Sequence, residues 1–166
     1  MRQVFAVINE MMANRIVESY AIGGAIGASF YIEAISTEDI DTFVQISSST
    51  PVFEELSVIY SYLEKKGYFP KNEFVVIGDW DVQFLVPADG SLELEAVMKA
   101  NIIRFYDQDV RVMMPEYLVA IALATGRPKD IARVHAFIEH KRVNIEELEI
   151  LVNKFSLEEE WKRLKP

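Results

Sequence analysis

Cysteine is absent from the 166 residues, which excludes structural disulfides and thiolate metal sites outright. A reducing, cytoplasmic setting fits that absence. Histidine is scarce. The two present, His135 and His140, are five positions apart and point away from one another on a helix, so they make no metal pair. Long hydrophobic runs are also missing: the longest nearly apolar stretch, residues 21 to 32, falls well short of the roughly 20 residues a spanning helix needs. The amino terminus, MRQVFAVINEMMANRIVESY, lacks the basic-then-apolar layout of a signal peptide. The expectation is a soluble, untargeted protein with no membrane partner. Positive charge is the minority sign, with 17 basic against 26 acidic side chains and a formal net charge of -9. That argues against extended coating of nucleic acid, which needs clustered Lys and Arg. It leaves room for a local basic strip, since most of the basic residues fall between 99 and 166. Neither a P-loop nor a Rossmann fingerprint nor a Ser/His/Asp triad is visible.

What is present reads as one globular domain with a helical appendage, half of its residues hydrophobic and about a quarter charged. Val4, Phe5, Ile8, Met11, Met12 and Ile16 recur at three and four, predicting an amphipathic helix over residues 2 to 18. Tyr20 to Ile22 form a short buried strand that ends at Gly23-Gly24, and Ala25 to Glu33 predict a helix packed on a sheet. IDTFVQI (40–46) reads as a strand. Thr50-Pro51 mark the cap and first position of a helix from Val52 to Lys65, ended by Gly67. EFVVIGDWDVQFLVP is a hairpin turning at Gly78-Asp79. A short helix follows over 91–99, then one or two strands over 102–113. From Pro115 the pattern is helical, with Pro115 and Pro128 at first helical positions and Gly126 between them. Leu157, Trp161 and Leu164 pin down the last helix. The fold class is therefore α+β, a mixed sheet with flanking helices over residues 1–114 and a helical subdomain over 115–166.

The chemistry is concentrated in YAIGGAIGASFYIEAISTEDIDTFV (20–44). Asp39 and Asp41 are two apart on a strand, so their carboxylates share a face, with backbones roughly 7 Å apart. Paired carboxylates of that kind suit Mg²⁺, which takes carboxylate oxygens together with substrate phosphates. In isolation, a D-x-D is most often a solvated strand start. Gly23-Gly24, between a strand and a helix, let backbone N–H groups approach a phosphate closely. Alone, they are a tight turn.

Together, GGAIGASFYIEAISTEDIDTFV resembles the signature of the nucleotidyltransferase superfamily: two small residues, a spacer, then two acids flanking an apolar residue on a strand. Thr37 to Asp41, T-x-D-I-D, is particularly like the abortive-infection, AbiEii-type toxin branch. The stretch MPEYLVAIALATGRPKDIARVHAFI resembles that branch's helical segment, with Arg127, Lys129 and Asp130 in an R-x-K-D arrangement. The resemblance implies that Gly23 and Gly24 hold nucleotide phosphates and that Asp39 and Asp41 bind Mg²⁺ or Mn²⁺. It implies further that Arg127 and Lys129 contact the triphosphate or the acceptor, and that a third acid on a later strand serves as base. Asp81 is the acid available for that role, whereas the family alignment places Gln83 there. Other departures are Ile35 in place of an arginine, Ala122 in place of a lysine and Arg133 in place of an acid. The implied activity is metal-dependent transfer of a nucleoside monophosphate from a triphosphate to an acceptor hydroxyl on RNA, protein or a small molecule. An antitoxin-like partner is part of the same implication. The alternative is an impaired member of the fold that senses nucleotide or binds a partner.

Overall fold

The computed structural model describes residues 1–33, 37, 39–47 and 54–164, with the side chain of Glu55 set aside. Ile35 and the Thr50-Pro51 cap lie outside the described residues. Seven strands form one sheet in the order β3-β4-β5-β2-β1-β7-β6. They are β1 (Ser19–Ile22), β2 (Asp39–Gln45), β3 (Pro70–Lys71), β4 (Phe74–Ile77), β5 (Trp80–Leu85), β6 (Asn101–Phe105) and β7 (Gln108–Val112). β1 and β2 run antiparallel, while β2–β5 and β1–β7 are the parallel pairs. The sheet is thus mixed, as expected.

Helices cover both faces, because β2 alternates side chains between them. Ile40 and Val44 point to one face, into a core shared with α1 (Arg2–Ala13) and with Ile59 and Leu63 of α3 (Glu55–Lys65). Phe43 points to the other face, against a second core built from α4 (Leu92–Met98), α5 (Pro115–Thr125), α6 (Pro128–Glu139), α7 (Ile145–Lys154) and α8 (Glu158–Leu164). Asp39 and Asp41 share the parity of Phe43. The tertiary structure therefore aims them at the helical half of the chain.

Two predicted helices prove shorter than their apolar spacing suggests. α1 stops at Ala13 because Arg15 is left-handed, φ 58°. The N–H of Ile16 then folds back to the Met11 carbonyl at 2.9 Å, so Ile16 reaches the core from a turn and not from the helix. α2 (Gly24–Ala28) gives way to turns over Phe30, Tyr31 and Ile32, residues with weak helix preference. The hairpin at Gly78-Asp79 forms with two turn residues, and only Gly78 has positive φ, 64°. Residues 101–112 form a second hairpin.

The helical half is tied to its own cap residues and to the sheet. Glu116, buried near the start of α5, accepts the N–H of Asn144 at 2.8 Å, and Asn144 in turn caps α7. Lys154 and Tyr117 both donate to Glu95 of α4, at 2.5 and 2.8 Å. Leu157 and Trp161 are buried, as their spacing requires. His135 and His140 are exposed. Among the described residues no helix is long and apolar enough to cross a membrane.

Candidate active site

β1 ends at Ile22, and the chain must turn sharply there to start α2 beside β2. The N–H of Gly23 donates to the Asp41 carbonyl at 2.9 Å, which holds the turn against β2. A Cβ on Gly23 would lie 2.6 Å from the Phe43 ring. Gly24 has φ +56°, and a Cβ there would lie 1.9 Å from Asp41 Oδ2. The two glycines are thus required by the approach of the turn to the acidic strand. They and Asp41 are neighbours in space, as the sequence pattern implies.

Gly24, Asp41 and Gln83 line a cleft of about 290 Å³ between the sheet and α5–α6, whose far end is apolar (Phe43, Leu85, Met113, Ile121). An adjoining recess of about 180 Å³ brings together Thr37, Asp39, Asp41, Gln83, Arg127, Lys129 and Arg133. Gly23 is buried beneath the turn and lines neither. Thr37 Oγ1 donates to Asp39 Oδ1, anchoring that carboxylate. Parallel pairing sets Asp39 opposite Asp81 and Asp41 opposite Gln83. Asp81 is exposed and borders a separate recess with Thr37, Asp79 and Trp80. Of the two β5 candidates for the third position, Gln83 lines the cleft and Asp81 does not.

The electrostatics divide the recess in two. Burial pushes the Asp41 carboxyl above its ordinary value and the charge of Asp39 adds to this, while Arg133, Arg127 and Lys129 pull it back without prevailing. The negative side therefore carries charge that the protein alone does not neutralise. Two carboxylate donors, with the hydroxyl oxygen of Thr37 nearby, fit a hard divalent cation that completes its shell with phosphate and water. Among the described residues no three acidic or imidazole side chains gather into a closed metal site.

Asp130 organises the positive side. Fully buried at the start of α6, it accepts from Arg127 Nε at 2.6 Å and Nη2 at 3.3 Å, and also from Arg133 Nη2. Burial opposes its ionisation. The hydrogen bond from Arg127 and the charges of Arg133 and Arg127 win, holding it below the usual carboxylate value. The start of α6 is therefore a buried charge cluster and not a solvated helix end. Asp130→Asn should cost about 2 kcal/mol in denaturant unfolding at neutral pH, the range for hydrogen bonds to charged groups. The sign with pH follows from the depressed pKa. The contribution is present above the unfolded carboxylate value of about 4 and fades as pH falls through the lower folded value, so wild type and variant should converge in acid.

Neither a protein-family model nor a curated protein matches the sequence. Solved structures match the whole architecture. A crystal structure of ANT(2″)-Ia in complex with adenylyl-2″-tobramycin aligns with a TM-score of 0.58 at 17% identity, over 97% of this chain and 99% of the other. An antigenic nucleotidyltransferase-like protein from Paracoccidioides brasiliensis aligns at 0.58 and 15%, over 82% and 73%. The solution structure of the antibiotic-resistance factor ANT(2″)-Ia gives 0.54 at 14%, over 95% and 90%. This chain has the nucleotidyltransferase fold.

Within that nucleotidyltransferase fold, two side chains of the cleft escape the sequence pattern. Arg133, expected only as a departure from the family's acid, lines both recesses with its side chain 12% exposed. Its signal is its position four after Lys129 and three after Asp130, one face of α6. Glu93 of α4 also borders the larger cleft, through packing of α4 on β1 and β2 that no local spacing announces. Ala122 lines the cleft, and among the described residues the basic side chains that line the cleft and its recess are Arg127, just before α6, and Lys129 and Arg133 on it.

Proposed function

We propose that this chain is a nucleotidyltransferase that moves a nucleoside monophosphate from a nucleoside triphosphate to an acceptor oxygen. The observation that carries the reading is the opposed recess itself: Asp39 and Asp41 on one wall, Arg127, Lys129 and Arg133 on the other, with Gly24 at its edge. The fold agrees with it. Asp39 and Asp41 would hold Mg²⁺ or Mn²⁺, which when bound would neutralise charge on the triphosphate and polarise its reacting phosphorus. Arg127 and Arg133, held by Asp130, would meet phosphate oxygens in the paired geometry that guanidinium groups favour, and Lys129 would act as a point charge for the triphosphate or the acceptor. Gly24 would let the phosphates approach the backbone. Attack on the α-phosphorus forms the new P–O bond, and pyrophosphate leaves with the electron pair of the bond broken.

The T-x-D-I-D run and the R-x-K-D element support placement in the abortive-infection branch, with an antitoxin-like partner in the same cytoplasm. The helical run from Pro115 is in this reading a C-terminal helical subdomain of residues 115–166. The test is thermal unfolding with Mg²⁺ and each of the four nucleoside triphosphates. One of them, at about 100 times its dissociation constant, should add about 2.7 kcal/mol to the folded state, only with metal present. Absence of a shift with any nucleotide would sink the reading.

A further inference from the structure

We propose that the acceptor brought to this cleft is a phosphomonoester, attacking through an oxygen that is already ionised, and not a neutral hydroxyl. This rests on the nucleotidyl-transfer reading above and names the acceptor class of the same site. A hydroxyl must surrender its proton as its oxygen attacks, and a positioned base takes it. Among the described residues the acids that border the cleft and its adjoining recess are Asp39, Asp41, Glu93 and Asp130, and Asp130 is paired with Arg127 and Arg133. Asp39 and Asp41 are committed to the cation. Glu93 enters from α4 and lines the larger cleft but not the recess where Asp39, Asp41 and Gln83 meet. Asp81 stands outside, exposed.

The β5 group that faces the reacting region is Gln83, in register with Asp41 and lining both recesses. An amide takes no proton at neutral pH. Its Nε2 donates two hydrogen bonds, which suits an anionic oxygen that a carboxylate at the same place would repel. The opposite wall agrees. Arg127 and Arg133 each have a carboxylate partner in Asp130, whereas Lys129 is exposed with no ion-pair partner among the described residues. That leaves one unpaired cation in the recess for a second phosphate group.

The step balances without a base. The ionised oxygen of the phosphomonoester attacks the α-phosphorus, a P–O–P bond forms, the α–β bond breaks, and pyrophosphate departs with the electron pair. No proton is transferred. The product is a nucleotide joined to the acceptor through a diphosphate.

Methyl phosphate and methanol are matched probes, since methyl phosphate has no hydroxyl to attack with, and acetate tests whether any ionised oxygen will serve. Pyrophosphate release from Mg²⁺ and nucleoside triphosphate should be at least about tenfold faster with methyl phosphate than with methanol or acetate. It should fall below about pH 6, where the phosphomonoester takes a proton. In a binding measurement with an α,β-methylene triphosphate held on the protein, methyl phosphate should bind at least about tenfold tighter to wild type than to Gln83→Glu, which places like charges together. Gln83→Glu should still be stabilised by the nucleotide, which separates the acceptor effect from a folding defect. Release as fast with methanol, a preference for acetate, equal affinity in Gln83→Glu, or no release with any probe despite nucleotide stabilisation would overturn the acceptor class and leave the nucleotide site standing. No stabilisation by any triphosphate would overturn both readings.

Discussion

Asp41→Asn should lower nucleotidyl transfer by about 10³-fold or more and abolish the metal-dependent stabilisation by nucleotide. Losing one of two charged cation ligands removes several kcal/mol of charge stabilisation, and each 1.36 kcal/mol is about tenfold in rate. Without metal or nucleotide, the same change should make the protein more stable. Burial and Asp39 raise the Asp41 pKa, so the folded state disfavours the charge that the substitution removes. Thermal unfolding of both proteins, with and without Mg²⁺-nucleotide, reads both signs in one experiment. A variant destabilised in both conditions would mean that Asp41 serves the fold and not a ligand.

Gly24→Ala should damage fold and site together. An alanine held left-handed costs about 1–2 kcal/mol, and here its Cβ would also lie 1.9 Å from Asp41 Oδ2. The overlap can be relieved only if Asp41 swings away, so nucleotide binding should disappear along with more than about 2 kcal/mol of stability. The cause is separable by a double-mutant cycle. Asp41→Ala removes the colliding carboxylate, so Gly24→Ala should cost less in that background, down to the backbone strain. Additive costs would show that the two positions do not touch in solution.

The sequence by itself determined a good deal. Branched and aromatic side chains in IDTFVQI marked a strand, and strand parity put Asp39 and Asp41 on one face, because parity is local chemistry. Pro115, Gly126 and Pro128 marked helix ends through fixed or permissive φ, and all three hold. Gly78 turned its hairpin for the same reason. The adjacency of Gly23-Gly24 to the aspartates was legible only through a family pattern, and the fold supplies its cause in the 1.9 Å approach. Where local spacing competes with a single left-handed residue, as at Arg15, the helix ends early although Ile16 still keeps the period.

What only the tertiary structure decided is non-local. Whether Asp81 or Gln83 enters the cleft depends on the stagger of β5 against β2, set by hydrogen bonds between strands about forty positions apart in sequence. Both residues alternate onto the same face, so parity could not separate them. The depth of each relative to the sheet end does. Burial of Asp130 is decided only when α6 packs on α5, after which one acid orients Arg127 and Arg133 toward Asp41. Burial of that kind comes from which helix meets which, and a charge pattern on one helix carries no record of its neighbours.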